Sequence, residues 1–129
     1  MKKTVTLVGR TNVGKSSIFI RLTGANKAIV SDYEGLTRDR KISSIEHNGI
    51  NIDLIDTGGF FSSEEDVFEE YILYQAYEAI NDSDLILFVV DNKFGFSPFD
   101  HEIAANLRKS GKNIFLIIIL KMIIVISNL

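Results

Sequence analysis

The stretch Gly9-Arg10-Thr11-Asn12-Val13-Gly14-Lys15-Ser16 constrains this chain more than any other feature. It is a Gly-x4-Gly-Lys-Ser motif preceded by the β-rich run Thr4-Val5-Thr6-Leu7-Val8. Behind it, Ser16 to Thr23 carries Ile18, Phe19 and Leu22 on one helical face and can close on Gly24. A glycine-rich turn between strand and helix lets successive backbone N–H groups wrap a phosphate, and the helix N-terminus favours the negative charge. Within such a loop Lys15 reaches β- and γ-phosphates, and the Ser16 hydroxyl is placed to ligate Mg²⁺. The expected phosphate-contacting set is therefore the loop Gly9 to Ser16, with Ser17 behind it. The alternative is a chance glycine turn, but the flanking strand and helix are the context that a nucleoside triphosphate site requires.

The rest of the chain alternates strand-like and helix-like runs. Lys41 to His47 and Ile50 to Ile55 flank Asn48-Gly49, a hairpin signal. Ser62 with Glu65 forms a capping-box pattern before a helix reaching about Asn81, with Val67, Phe68, Tyr71 and Ile72 on its apolar stripe. Leu85 to Val90 is continuously apolar, as in a strand covered on both faces. Ser97-Pro98 opens a helix with Phe99, Ile103 and Leu107 inward; Asp100 and Glu102 suit its first turn, and Arg108 and Lys109 its last. Ile114 to Leu120 reads as another buried strand. The fold class expected is α/β, a three-layer α/β/α arrangement of the P-loop NTPase type. Its sheet is mainly parallel, with the hairpin as an antiparallel edge and the C-terminal end incomplete.

Two further segments belong with the phosphate loop. Leu54-Ile55 runs into Asp56-Thr57-Gly58-Gly59, an Asp-x-x-Gly pattern in which a carboxylate can hold Mg²⁺ through water and the Gly59 N–H can meet a γ-phosphate. Thr37 lies in the polar segment after the first helix, where a GTPase keeps its switch threonine. The metal set is thus Ser16, Thr37 and Asp56, and Asp56, Thr57, Gly58, Gly59 and Phe60 join the nucleotide-contacting set.

Composition narrows the rest. The 129 residues suit one domain, and the absence of cysteine removes disulfides, thiol catalysis and thiolate metal sites. A net charge of −3 leaves no basic surplus for a direct nucleic-acid site. The apolar start is too soon interrupted by Gly9-Arg10 for a signal peptide, so a cytoplasmic location is expected. Ile114 to Ile126 is apolar except for Lys121, but a membrane span needs about 20 residues, so no membrane association is expected.

Four blocks taken together carry a more specific likeness: Gly9-Arg10-x-Asn12-Val13-Gly14-Lys15-Ser16, Ala28-Ile29-Val30-Ser31-Asp32-x-x-Gly35-x-Thr37-Arg38-Asp39-Arg40, Asp56-Thr57-Gly58-Gly59, and Phe88-Val89-Val90-Asp91. Over about Lys2 to Ile118 the chain closely resembles the first GTPase domain of the Der (EngA) family of ribosome-assembly GTPases. The resemblance implies GTP and GDP binding, GTP hydrolysis with Mg²⁺, and association with the large ribosomal subunit. It implies that Asn12 helps hold an activating K⁺ and that Thr37 ligates Mg²⁺ in the triphosphate state, making Lys15, Thr37 and Asn12 the catalytic set. Phe60 stands where Ras-like enzymes place the glutamine that orients attacking water, which fits K⁺-assisted, slow hydrolysis. Thr11, Ile20 and Glu34 depart from the family's usual proline, asparagine and proline.

One motif is missing. A GTPase reads guanine through Asn-Lys-x-Asp after the strand that corresponds to Ile114–Leu120, yet Ile119-Leu120-Lys121-Met122-Ile123-Ile124 contains none, and Asn92-Lys93-Phe94-Gly95 lacks the Asp. Two charge-assisted hydrogen bonds lost at ~1.5–3 kcal/mol each would weaken guanine binding by ~10²–10⁴-fold. Met122-Ile123 read one base early must contain GAT, an Asp codon, and the preceding bases can encode Lys-x-Asp beneath Leu120 to Ile123. The expectation is a frameshift near Ile119, dividing the chain into a partial G domain, 1–118, and an aberrant hydrophobic tail, 119–129. A non-catalytic product with weak or no nucleotide binding is the alternative to an active GTPase.

Overall fold

A computed structural model describes residues 2–10, 14–24, 29–30, 41–57, 65–120 and 123–129. The β-rich run after Met1 forms β1 (Lys2–Val8), and its alternating side chains serve two cores: Val5 and Leu7 face one side, Thr6 and Val8 the other. The hairpin signal is realised as β3 (Lys41–His47) and β4 (Ile50–Asp56), antiparallel from Lys41↔Asp56 to His47↔Ile50. Asn48 at φ 52° and Gly49 at φ 80° make the turn, the two positive φ values that suit the twist of a two-residue hairpin. A two-residue strand, β2 (Ile29–Val30), pairs outside β3, so the hairpin is not itself the sheet edge.

β5 (Leu85–Asp91) and β6 (Asn113–Leu120) continue the sheet in parallel on the other side of β1. Beyond β6 the chain returns as β7 (Ile123–Asn128), antiparallel to it with Ile117↔Ile126 and Leu120↔Ile123. The seven-stranded order is β2-β3-β4-β1-β5-β6-β7, with β4, β1, β5 and β6 pairing in parallel in the middle, two antiparallel pairings at the β2 end and one at the β7 end. This is the expected α/β class with a mainly parallel sheet.

Among the described residues, three α-helices cover the sheet unequally. α2 (Glu65–Asp82) and α3 (Pro98–Lys109) share one face, where Ile72, Ala76, Ile103 and Leu107 pack on Ile86, Phe88, Val90 and Ile114. α1 (Lys15–Thr23) stands on the opposite face, with Ile18 and Phe19 against Leu7, Leu54, Leu87 and Val89. The buried stripe of α1 is Lys15, Ile18, Phe19 and Thr23, whereas Leu22, expected inward, is 50% exposed. The hydroxyl of Thr23 donates to the Phe19 carbonyl at 2.8 Å, so its burial on this face leaves no unpaired donor. Ser62 and the side chains of Val67, Phe68 and Tyr71 lie outside the described residues; Ile72 is buried as expected.

α3 begins as its sequence indicates. Ser97 accepts the Asp100 N–H at 3.0 Å, Asp100 accepts the Ser97 N–H at 2.9 Å, and Pro98 occupies the first turn. A short 3-10 turn, Asn92–Phe94, links β5 to this helix. Among the described residues no helix is long and apolar enough to cross a membrane.

Candidate functional site

The central strand β1 is flanked by β4 on one side and β5 on the other; the chain after β1 continues to the β2–β4 side, whereas the chain after β4 crosses through α2 to β5. Ligands of open α/β sheets bind outside the carboxyl ends of strands at such a point. Gly9 and Arg10 leave the carboxyl end of β1 there, Gly14 caps α1, and Asp56 ends β4 next door, in register with Leu7. The Thr57 hydroxyl donates to the Leu7 carbonyl at 2.7 Å and fixes β4's exit against β1.

Gly14 has φ 105°, a conformation that L side chains rarely adopt. A Cβ there would also lie 2.5 Å from Cδ1 of Ile119, on β6. The backbone conformation therefore demands glycine where α1 starts, and a Cβ would in addition push aside the tip of the Ile119 side chain.

Lys15 is 5% exposed, and its ammonium donates to the Gly9 carbonyl at 2.7 Å and the Arg10 carbonyl at 2.7 Å. Burial pushes its pKa down from 10.5 to about 8; the nearby Asp56 carboxylate pulls it up, and Arg10 pushes it further down. The cation is thus held by neutral carbonyls in a desolvated position, where an anionic oxygen would be a stronger acceptor. Ser16 Oγ donates to Asp56 Oδ2 at 3.1 Å, and Asp56 is 0% exposed. A hydroxyl and a carboxylate at this spacing are hard oxygen donors of the kind Mg²⁺ takes when phosphates and waters complete its octahedron, so the residues present fit that ion. Among the described residues no cluster of three or more His, Asp or Glu side chains forms a separate metal site.

Of the residues singled out in the sequence, the structure brings together Gly9, Arg10, Gly14, Lys15, Ser16, Asp56 and Thr57; Ser17 follows on α1. Thr11, Asn12, Val13, Thr37, Gly58, Gly59 and Phe60 lie outside the described residues. Two features were not anticipated. The Arg10 side chain turns to α3, with Nε donating to Asp100 Oδ1 at 2.7 Å, and Ile119 closes on Gly14. The acid at the third position of α3 was visible in the sequence, but its partner lies 90 residues away, and nothing local signals that pairing.

The chain matches the family model described as 50S ribosome-binding GTPase over residues 4–122. It is 44% identical over 113 residues to GTPase Der of Porphyromonas gingivalis, covering 88% of this chain and 26% of the relative. It is 48% identical over 116 residues to GTPase Der of Caldicellulosiruptor saccharolyticus, covering 90% and 26%. The chain thus spans about a quarter of the length of these relatives. Among solved structures, Era in complex with MgGDPNP and nucleotides 1506–1542 of 16S ribosomal RNA matches with a TM-score of 0.66 at 30% identity, over 89% of this chain and 39% of that one. The G domain of the T. maritima FeoB iron transporter matches at 0.64 and 28%, over 92% and 72%. With the phosphate-loop geometry, these matches establish that the chain belongs to the 50S ribosome-binding GTPase family, and its similarity to the GTPase Der relatives is consistent with a first G domain of that kind.

Proposed function

We propose that this chain binds GTP and GDP with Mg²⁺ and hydrolyses GTP in the cytoplasm, in the service of large-ribosomal-subunit assembly. The observation that supports it most is the Lys15 ammonium, desolvated at the end of β1 and bonded to the Gly9 and Arg10 carbonyls beside the Ser16–Asp56 pair. An arriving phosphate offers Lys15 charge-assisted bonds and holds its proton in place. Backbone N–H groups at the start of α1 donate to the same phosphate, and glycine at position 14 lets the chain approach closely. Ser16 and Asp56 would hold Mg²⁺, which neutralises charge on the β- and γ-phosphate oxygens. In this reading Thr37 joins the metal in the triphosphate state, Gly59 meets the γ-phosphate, and Asn12 supports K⁺. With Phe60 unable to orient water, hydrolysis is slow and K⁺-assisted. Titration with labelled GTP, GDP and ATP in K⁺ and Mg²⁺ tests it. Saturable, Mg²⁺-dependent binding with a GTP preference that Lys15→Ala abolishes is expected. Equal, weak binding of GTP and ATP refutes guanine selection.

A second reading is favoured by one observation: β7 pairs antiparallel with β6 from Ile123 onward, and the sequence after β6 holds no Asn-Lys-x-Asp. Here residues 1–118 are a partial G domain, residues 119–129 come from a shifted frame, and the product is non-catalytic. Absence of any saturable nucleotide binding supports this reading. A gene whose −1 frame beneath Leu120 to Ile123 does not encode Lys-x-Asp refutes the frameshift.

A further inference from the structure

The Asp100 carboxylate has no part in the phosphate chemistry above, yet it is tied to the phosphate loop. It is 1% exposed, and a carboxylate taken that far from water needs a cation or several donors. The helix cap engages only one of its oxygens: Oδ2 accepts the Ser97 N–H at 2.9 Å, while Ser97 Oγ accepts the Asp100 N–H at 3.0 Å. Both halves of the capping box are complete without Arg10. Oδ1 instead accepts Arg10 Nε at 2.7 Å.

Arg10 is anchored a second time through its main chain. It lies two residues beyond the end of β1, and its carbonyl is one of the two that accept the Lys15 ammonium. A single residue therefore connects the buried acid of α3 to the cation of the phosphate site. An open cavity of about 420 Å³, lined by Arg10, Ser97, Pro98, Phe99 and Glu102, puts this connection on the surface between loop and helix.

Resting on the nucleotide-binding reading, we propose that Arg10 is a positioning residue. Clamped by Asp100, its side chain fixes the peptide whose carbonyl holds Lys15, so the phosphate site and the first turn of α3 are mechanically coupled. Lys15 then exchanges carbonyl for phosphate partners over a loop that stays in place. Whatever displaces the first turn of α3 also releases the loop, which makes the open cavity beside the brace a point from which nucleotide release can be controlled.

The test uses the full chain and the variants Arg10→Gln, Asp100→Asn, their double, and Arg10→Lys. Asp100→Asn keeps an acceptor for the Ser97 N–H, so the cap survives while the charge is lost. Ser83→Ala, which cuts the buried Thr6–Ser83 hydroxyl pair away from the loop, is the control for general destabilisation. Affinity and dissociation rate of a fluorescent GDP are read alongside amide hydrogen exchange of Gly14 to Ser16 in nucleotide-free protein. Each single variant is expected to weaken GDP by about tenfold through faster release. The double should be no worse than either single, and Arg10→Lys should recover part of the loss. Loop amides exchange faster in the singles, and Ser83→Ala leaves affinity and loop exchange unchanged. Unchanged affinity and exchange in folded variants overturn the brace, as do single losses that multiply in the double. If the wild type binds no nucleotide, the binding reading falls and loop exchange alone decides: no acceleration overturns the brace. Should Arg10→Gln fail to fold, Arg10→Lys and Asp100→Asn carry the same comparison.

Discussion

Raising the pH titrates the phosphate-loop lysine of the nucleotide-free protein in a way that stability can report. Lys15 is charged in the unfolded chain up to about 10.5, whereas in the folded chain burial brings its pKa to about 8. The sign follows from proton counting. Between those values the unfolded state holds a proton that the folded state has released, so stability rises with pH. Below about 8 both states are charged and the full cost of burying the ammonium is present. At about 1.4 kcal/mol per pKa unit, the interval amounts to about 3 kcal/mol, most of it recovered by pH 10. Urea unfolding of the wild type and Lys15→Met at pH 7, 8, 9 and 10 isolates the effect, because all other titrations cancel in the difference. The wild type should gain about 2 to 3 kcal/mol on the variant across that range. A pH-independent difference, or one that moves the opposite way, refutes the view that Lys15 is a desolvated cation held by carbonyls.

Other outcomes follow from single contacts. Gly14→Ala should lose about 1–2 kcal/mol by thermal unfolding, from the positive φ and the approach to Ile119; adding Ile119→Val, which removes Cδ1, should return only the steric part. No recovery in the double variant would mean that the contact is not tight. Ser97→Ala removes the acceptor at the start of α3 and should cost about 1 kcal/mol; a loss within error contradicts the capping box. Ile126 is 63% exposed on the edge strand β7, so Ile126→Lys should reduce light scattering of concentrated protein with stability unchanged. Equal scattering would place self-association elsewhere.

What could be read from the residues depends on how local the cause is. The Asn48-Gly49 turn and the start of α3 at Ser97-Pro98 are decided by backbone conformation and hydrogen bonds within four residues, and both stand where their residues indicate. The apolar run Leu85–Val90 has the character of a doubly covered strand, and side chains from it serve both cores. Helix α1 was harder, because hydrophobicity favours Leu22 while the real stripe includes Lys15 and Thr23, polar groups that satisfy themselves with nearby carbonyls. The phosphate loop was legible because its chemistry confines residue types at fixed spacing. The approach of Ile119 to Gly14, the Arg10–Asp100 pair and the return of β7 along β6 depend on tertiary neighbours, which no local pattern encodes.

The most direct test of the central claim follows the backbone amides of Gly14, Lys15 and Ser16 by ¹⁵N NMR as Mg·GDP is added. The account predicts saturable shifts concentrated at those amides and lost in Lys15→Ala, with Ser83 and Asp84 unmoved. Unperturbed amides at the start of α1, or shifts that survive without the lysine, would contradict it.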